Sequence, residues 1–312
     1  MRYDRFYTSV EVQSFEHQYD FSHTFGFIGS CFSNEMFARF QRYGFKTWQS
    51  PFGTTYNPLS IINQIDILLD LSINFRCTNQ NETYFSWETS HTLLAEDQDT
   101  LLKTLQERRL AYSKVLQKTD VLFVTVGSSW AYFKEDDALP VANCHRMPAS
   151  MFLKRLLTLE EINATFERVH RKLKEFNPNL QVVLTVSPVR HIREGLVDNN
   201  RSKARLIEWC HTMVAQYAEV HYFPAYELVV DELRDYRFYA TDGVHPNAQA
   251  IEFVGQQLYS ACFTEEVVAL LPKIEAVRKL EEHKILDDRE LPRIKNQIVE
   301  KKQALSAWNI RW

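Results

Sequence analysis

Two short segments carry residue types suited to covalent chemistry. The first is Gly29-Ser30-Cys31-Phe32-Ser33, which follows an apolar run from Thr24 to Ile28 and precedes a helical pattern from Asn34 to Arg42. A hydroxyl or thiol in a strand-to-helix turn lies among exposed backbone N–H groups at the positive end of the helix dipole, which favours a thiolate or an oxyanion. The second is Asp242-Gly243-Val244-His245, followed by Pro246, Asn247 and an apolar helix from Ala248. An aspartate three residues before a histidine, with glycine permitting the turn, can hold Nδ1–H on its carboxylate and leave Nε2 to accept a proton. Taken singly, each segment also fits an ordinary strand exit or surface turn.

Joining them requires a scaffold that brings distant strand ends together. The β-branched or aromatic runs Thr24 to Ile28, Val121 to Val126, Val182 to Val186 and Val220 to Phe223 read as buried parallel strands. Between them, Asn34 to Arg42, Leu59 to Leu71, Leu101 to Gln117, Leu159 to Glu175 and Ser202 to Tyr217 have helical spacing. This alternation predicts an α/β sheet with helices on both faces. In such sheets the ligand crevice lies at the carboxyl ends of the strands, so the polar turns after these runs should meet at one edge. Glycine is scarce, 8 in 312 residues, and four of the eight (Gly29, Gly53, Gly127 and Gly243) fall in turn-like segments at the motifs. After Phe263 the chain becomes charge-rich and helical, with Glu265 to Leu280 and Arg289 to Leu305 separated by Asp287-Asp288. The expected division is an α/β unit over residues 1–263 and a helical extension over 264–312 that packs on it.

Composition sets outer bounds. The chain is 45% hydrophobic and 24% charged with a net charge of −4, which is the balance of an ordinary globular protein without a nucleic-acid or membrane face. The Met1-Arg2-Tyr3-Asp4-Arg5 start lacks a secretory apolar stretch and no run reaches the ~18 apolar residues of a span, so a cytoplasmic location is expected. Five cysteines (Cys31, Cys77, Cys144, Cys210, Cys262) without paired short spacing suggest neither a disulfide framework nor a zinc knuckle.

Five ordered motifs make the pattern specific. Gly29 to Ser33, Ser50-Pro51-Phe52-Gly53-Thr54-Thr55-Tyr56-Asn57-Pro58, Asn143-Cys144-His145-Arg146-Met147-Pro148, Ser187-Pro188-Val189-Arg190-His191 and Asp242 to Pro246 together resemble the GSCFA domain family, from about Thr24 to about Phe263. That family is grouped with the SGNH (GDSL-type) hydrolases. The resemblance implies a three-layer α/β/α, flavodoxin-like fold and acyl-ester chemistry, with the nucleophile in the first motif and Asp-x-x-His in the last. Laying Gly29-Ser30-Cys31 on the superfamily's Gly-Asp-Ser puts Cys31 at the nucleophile, while a one-residue shift of the turn would present Ser30. A thiol, with a reference pKa of about 8.5, also needs less activation, and a helix N-terminus and His245 should lower it further.

For the oxyanion hole the resemblance offers the nucleophile turn, Gly53 and an amide from a Gly-x-Asn motif. Here that motif reads Gly127-Ser128-Ser129, so Ser129 stands where an asparagine is expected. Losing one good oxyanion donor costs on the order of 3 kcal/mol of barrier, which makes Asn57, Asn143 and His145 candidate replacements, each with a competing role as a turn residue. His91, His145, His191 and His245 could gather at one sheet edge, but none has local ligand spacing and no metal is expected. Arg190 and Arg146 suit a substrate carboxylate or phosphate, or equally a structural salt bridge. Trp48, Trp87 and Trp130 suit a stacking wall or the core. The expected activity is acyl-ester hydrolysis through Cys31 or Ser30, His245 and Asp242, without a cofactor, on a small-molecule or carbohydrate acyl ester. The rivals are acyl transfer in polysaccharide or envelope assembly, and non-catalytic binding on the same fold.

Overall fold

A computed structural model describes residues 8–136, 138–283 and 288–312; the Met1 to Arg5 start and Asp287 lie outside the described residues. In chain order the first elements are β1 (Thr24–Gly29), α1 (Cys31–Arg42), β2 (Lys46–Gln49), α2 (Pro58–Leu69), β3 (Cys77–Gln80), β4 (Thr83–Ser86) and α3 (Gln98–Leu116). Next come β5 (Val121–Val126), β6 (Trp130–Lys134), β7 (Pro140–Val141), β8 (Phe152–Leu156), α4 (Leu159–Phe176), β9 (Gln181–Val186), α5 (Leu196–Gln216) and β10 (Val220–Phe223). The chain continues through α6 (Ala225–Glu227), α7 (Ala248–Cys262), α8 (Glu265–Glu282) and α9 (Leu291–Ala304).

Strands β10, β9, β5, β1 and β2 form one sheet in that order, and every pairing within it is parallel. Counted along the chain these five strands lie 2-1-3-4-5, the flavodoxin-like order. Their side chains divide by alternation. Leu122, Val124 and Val126 face the core shared with α2, α3, α4 and α5, whereas Val121 and Phe123 face the core shared with α1, α7 and α8. The second core is rich in aromatic residues, with Phe25, Phe40, Phe45 and Phe263 in mutual contact, Phe27 on Phe40, and Phe45 stacked on Phe263 at 4.4 Å. The result is the three-layer α/β/α arrangement that the motifs implied.

All four strand runs read from the sequence are present. The sequence reading omitted β2, a polar edge strand in which only Trp48 is buried, and two small antiparallel sheets, β3-β4 and β7-β6-β8. Helix starts also shift. Helix α1 begins at Cys31 instead of Asn34, and α5 at Leu196 instead of Ser202. Helix α8 packs on the α/β unit, with Val267, Leu270, Leu271 and Ile274 in the aromatic core and Glu275 and Glu282 paired with Arg42 of α1; α9 lies against α8 through Lys302 and Glu281, and beyond it the Arg311 N–H donates to the Gly44 carbonyl at 2.9 Å. Among the described residues no helix is long and apolar enough to cross a membrane.

Candidate active site at the sheet's switch point

From β1 the chain moves first to β2 on one side and then to β5 on the other, so the strand order reverses between β1 and β5. At such a point the two crossovers leave on opposite faces and open a crevice beyond the strand ends. The exits of β1 and β5 are in direct contact there. Gly29 has φ +134° and a Cβ on it would lie 2.1 Å from the Thr125 carbonyl oxygen, while the Ser30 N–H donates to that same oxygen at 3.0 Å.

Ser30 is the N-cap of α1 and Cys31 its first helical residue. The two side chains diverge. Cys31 lines a cleft of about 430 Å³ with Phe32, Glu35, Arg39, Val189 and His245, whereas Ser30 is fully buried and its hydroxyl has no hydrogen-bond partner. The thiol does not behave as the motif implied. Burial pushes its pKa up, and the N–H groups of Phe32 and Cys31 and the Lys203 ammonium pull it down without reversing that. A thiol at a helix start is activated only to the extent that the N–H groups outweigh desolvation, and here they do not.

The base loop is built around Asp242. One carboxylate oxygen accepts from the backbone N–H groups of Val244 and His245 at 2.9 and 3.0 Å, and the other lies 2.6 Å from Nδ1 of His245. These bonds, the His245 N–H foremost, hold the Asp242 pKa down to about 2. The loop is closed by a bridge between Tyr239 and Pro246, and Asn247 caps α7 by accepting from Gln249 and Ala250. Arg190 joins it to the β9 exit: its N–H donates to Val244 O at 3.2 Å and its guanidinium lies over the Tyr239 ring at 5.3 Å. Among the described residues Arg190 has no carboxylate partner, so the salt-bridge alternative is not realised there.

Behind the nucleophile turn sits a polar cluster centred on Gly127. A Cβ on Gly127 would lie 3.0 Å from His191 Nε2 and 3.3 Å from both Ser30 Cβ and Tyr56 Cδ1, so a side chain there would push these groups apart. His191 Nε2 is buried without a partner, its ring sits edge-on to Tyr56, and burial together with Lys203 and His245 pushes its pKa down to about 4. Lys203 of α5, 1% exposed, donates from Nζ to Gly127 O at 2.6 Å and Ser187 O at 2.7 Å. Sequence reading missed it. The available signal was its place on the stripe Lys203, Leu206, Cys210 and Met213, all buried and spaced as one helix face.

Other expected oxyanion groups are committed elsewhere. The Gly53 N–H donates to Ser50 O at 3.2 Å, and its missing Cβ makes room for Ser90. Ser129 donates to Ser202 at 3.1 Å and is fully buried against α5, so its hydroxyl has no proton left for a substrate. The Gly127 N–H donates to Tyr56 O at 2.8 Å. Asn57 caps α2 by accepting from the Ser60 N–H at 2.9 Å. Asn143 accepts from the His145 N–H at 2.7 Å in a separate cluster with Phe85 and Trp87, where His145 donates from Nε2 to Ser86 O at 3.1 Å and stacks on Phe85 at 4.0 Å. Arg146 and His91 are exposed, Trp48 and Trp87 are core residues, and none of these lines the Cys31 cleft.

Burial pushes the His145 pKa down from 6.5 to about 4, as it does for His191, so both are neutral in the folded chain where the unfolded chain would already be charged. The unfolded state then binds more protons between about pH 6.5 and 4, and stability is complete above that window and lost as pH falls through it. The thermal midpoint should fall steadily from pH 7 to 4.5, with a shallower slope in His145→Gln. A midpoint flat across that range contradicts the assignment.

Fold and site together define a flavodoxin-like α/β protein with a thiol and a carboxylate-held imidazole in its switch-point cleft. The chain belongs to the GSCFA family, whose model matches residues 24–258. None of the curated proteins matches it. Among solved structures it is similar to a carbohydrate esterase family 3 protein from Talaromyces cellulolyticus, at 10% identity and TM-score 0.34 over 80% of this chain and 98% of that one. It is also similar to an acetyl xylan esterase from the rumen bacterium Butyrivibrio proteoclasticus, at 11% identity and TM-score 0.36 over 81% of this chain and 64% of that one.

Proposed function

We propose that the chain is an acyl-ester hydrolase with Cys31 as nucleophile, His245 as general base and Asp242 as the group that orients it. The observation that carries this reading is that Cys31 and His245 line one cleft while the Asp242 carboxylate holds His245 Nδ1. Nε2 of His245 takes the thiol proton as Sγ attacks the acyl carbonyl, and the oxyanion forms beside the first N–H groups of α1. Collapse expels the alcohol, which receives the proton from the imidazolium, and leaves a thioester on Cys31. Water, deprotonated by His245, then releases the acid and restores the thiol. These steps use no metal and no organic cofactor.

The half-exposed imidazole admits water to the thioester, which favours hydrolysis over transfer to a sugar hydroxyl. Acylated carbohydrates are the substrate class to test first, on the SGNH resemblance. An activated acetyl ester followed by peptide mapping tests the chemistry. The expected result is an acyl group on Cys31, absent in Cys31→Ala. Acylation of Ser30 would reassign the nucleophile, faster donor cleavage with a sugar acceptor would indicate transfer, and no label with no turnover on an ester panel would leave a binding role.

A further inference from the structure

Lys203 is a lone ammonium in the interior. It sits on the buried stripe of α5, and among the described residues no carboxylate pairs with it. Removing such a charge from water is costly, and an apolar residue would fill this helix position more cheaply. What the charge has instead is two carbonyls, Gly127 O and Ser187 O, which belong to the first residues after β5 and β9. It therefore ties together two neighbouring strand exits at the active-site edge. Gly127 in turn touches the back of the nucleophile turn, at 3.3 Å from its Cβ position to Ser30 Cβ. Lys203 thus holds the β5 exit that touches Ser30, the residue before Cys31.

We propose that Lys203 is a positioning residue for Cys31: it pins the β5 and β9 exits behind the nucleophile turn and, while protonated, places a buried positive charge behind the sulfur. This deepens the hydrolase reading and rests on it for the identity of the nucleophile. The electrostatics run in the required direction. Lys203 pulls the Cys31 thiol down and helps to keep His191 neutral, and since burial has pushed its own pKa down to about 7, with Cys31 holding it up, the charge acts below about pH 7 and is lost above it. The other groups facing the pair are Tyr226, whose ring lies 5.7 Å from Nζ, Tyr56, which interacts with Cys31, and Glu35, Arg39 and His245 around the cleft. Glu35 opposes thiolate formation, and Arg39 is held by Glu252 at 2.5 Å, which leaves Lys203 as the unneutralised cation.

The test is the pH profile of Cys31 alkylation by iodoacetamide, read by peptide mass spectrometry in the full chain and in Lys203→Met. Because Lys203 loses its proton near pH 7 while burial holds the thiol above its usual range, the variant should react about tenfold more slowly below about pH 6 and at the wild-type rate above about pH 8.5. The fully buried Cys210 and Cys262 report on folding, since they stay unreactive only while the cores are intact. A folded variant whose rate matches the wild type at every pH overturns the proposal. If Lys203→Met does not fold, the wild type decides: its rate profile should carry a separate inflection near pH 7, where Lys203 loses its charge, and a single smooth rise overturns the proposal. Alkylation needs no ester turnover. A wild type that cleaves no ester but gives the expected profiles defeats the hydrolase reading and keeps the role of Lys203.

Discussion

His245→Ala lowers kcat/KM on an activated acyl ester by about 10³-fold and leaves the thermal midpoint within about 2 °C of wild type. The small effect on stability follows from exposure: the imidazole is 51% exposed, and its side-chain hydrogen bond is to Asp242. The large effect on rate follows from the raised pKa of Cys31. A thiol that burial keeps protonated cannot attack without a base, so removing Nε2 removes the route for its proton. Asp242→Asn should lose about 10²- to 10⁴-fold, because an amide offers Nδ1 a donor where it needs an acceptor and turns the imidazole to the wrong tautomer. Asp242 stays ionised down to about pH 2, so it holds Nδ1 throughout the range in which the protein can be assayed. A fully active His245→Ala enzyme would sink the proposed mechanism outright.

Gly29→Ala should be the most damaging small substitution in the site, costing about 3 kcal/mol or more in urea unfolding. Two separate penalties combine. The backbone at φ +134° is one that L side chains rarely adopt, and the added Cβ would meet Thr125 O at 2.1 Å and Thr125 C at 2.8 Å. Those atoms belong to the middle of a fully buried strand and cannot rotate away. Separating β1 from β5 enough to admit the methyl would also break the Ser30 N–H bond to Thr125 O, so the nucleophile turn loses its anchor together with the sheet. Gly243→Ala is the control. It has φ +68° with nothing within 4 Å of the Cβ position, so only the backbone penalty of about 1 kcal/mol applies. Equal losses in the two variants would show that the β1–β5 contact is not what fixes Gly29.

Much of the scaffold was legible because it depends on local pattern. Continuous apolar runs can be buried only between two layers, so Val121 to Val126 identified a central strand from its own residues. The short polar strands escaped notice for the same reason: Lys46–Gln49 has one buried side chain, and Pro140–Val141 is too short for any period to register. The base loop was legible too, since Asp242 and His245 meet within four residues and need no distant partner to do so.

The nucleophile turn needed more. Its sequence alone determined that a hydroxyl and a thiol stand side by side between a strand and a helix, and motif register pointed to the thiol. The tertiary structure alone decided which of them faces the cleft, because helix α1 starts at Cys31 and turns Ser30 inward against Gly127. It also decided that Ser129 is spent, since its hydroxyl donates to Ser202 of α5, whereas the bonds of Gly53 to Ser50 and of Asn57 to Ser60 are local. Lys203 is the clearest case. Nothing beside it in sequence marks it as part of the site, and its role arises only where α5 packs across the ends of β5 and β9, a contact between residues 76 and 16 positions apart along the chain. Local pattern dictates which side chains a segment carries and what shape it takes; the field in which Cys31 works is set by groups that only the packed sheet brings within reach.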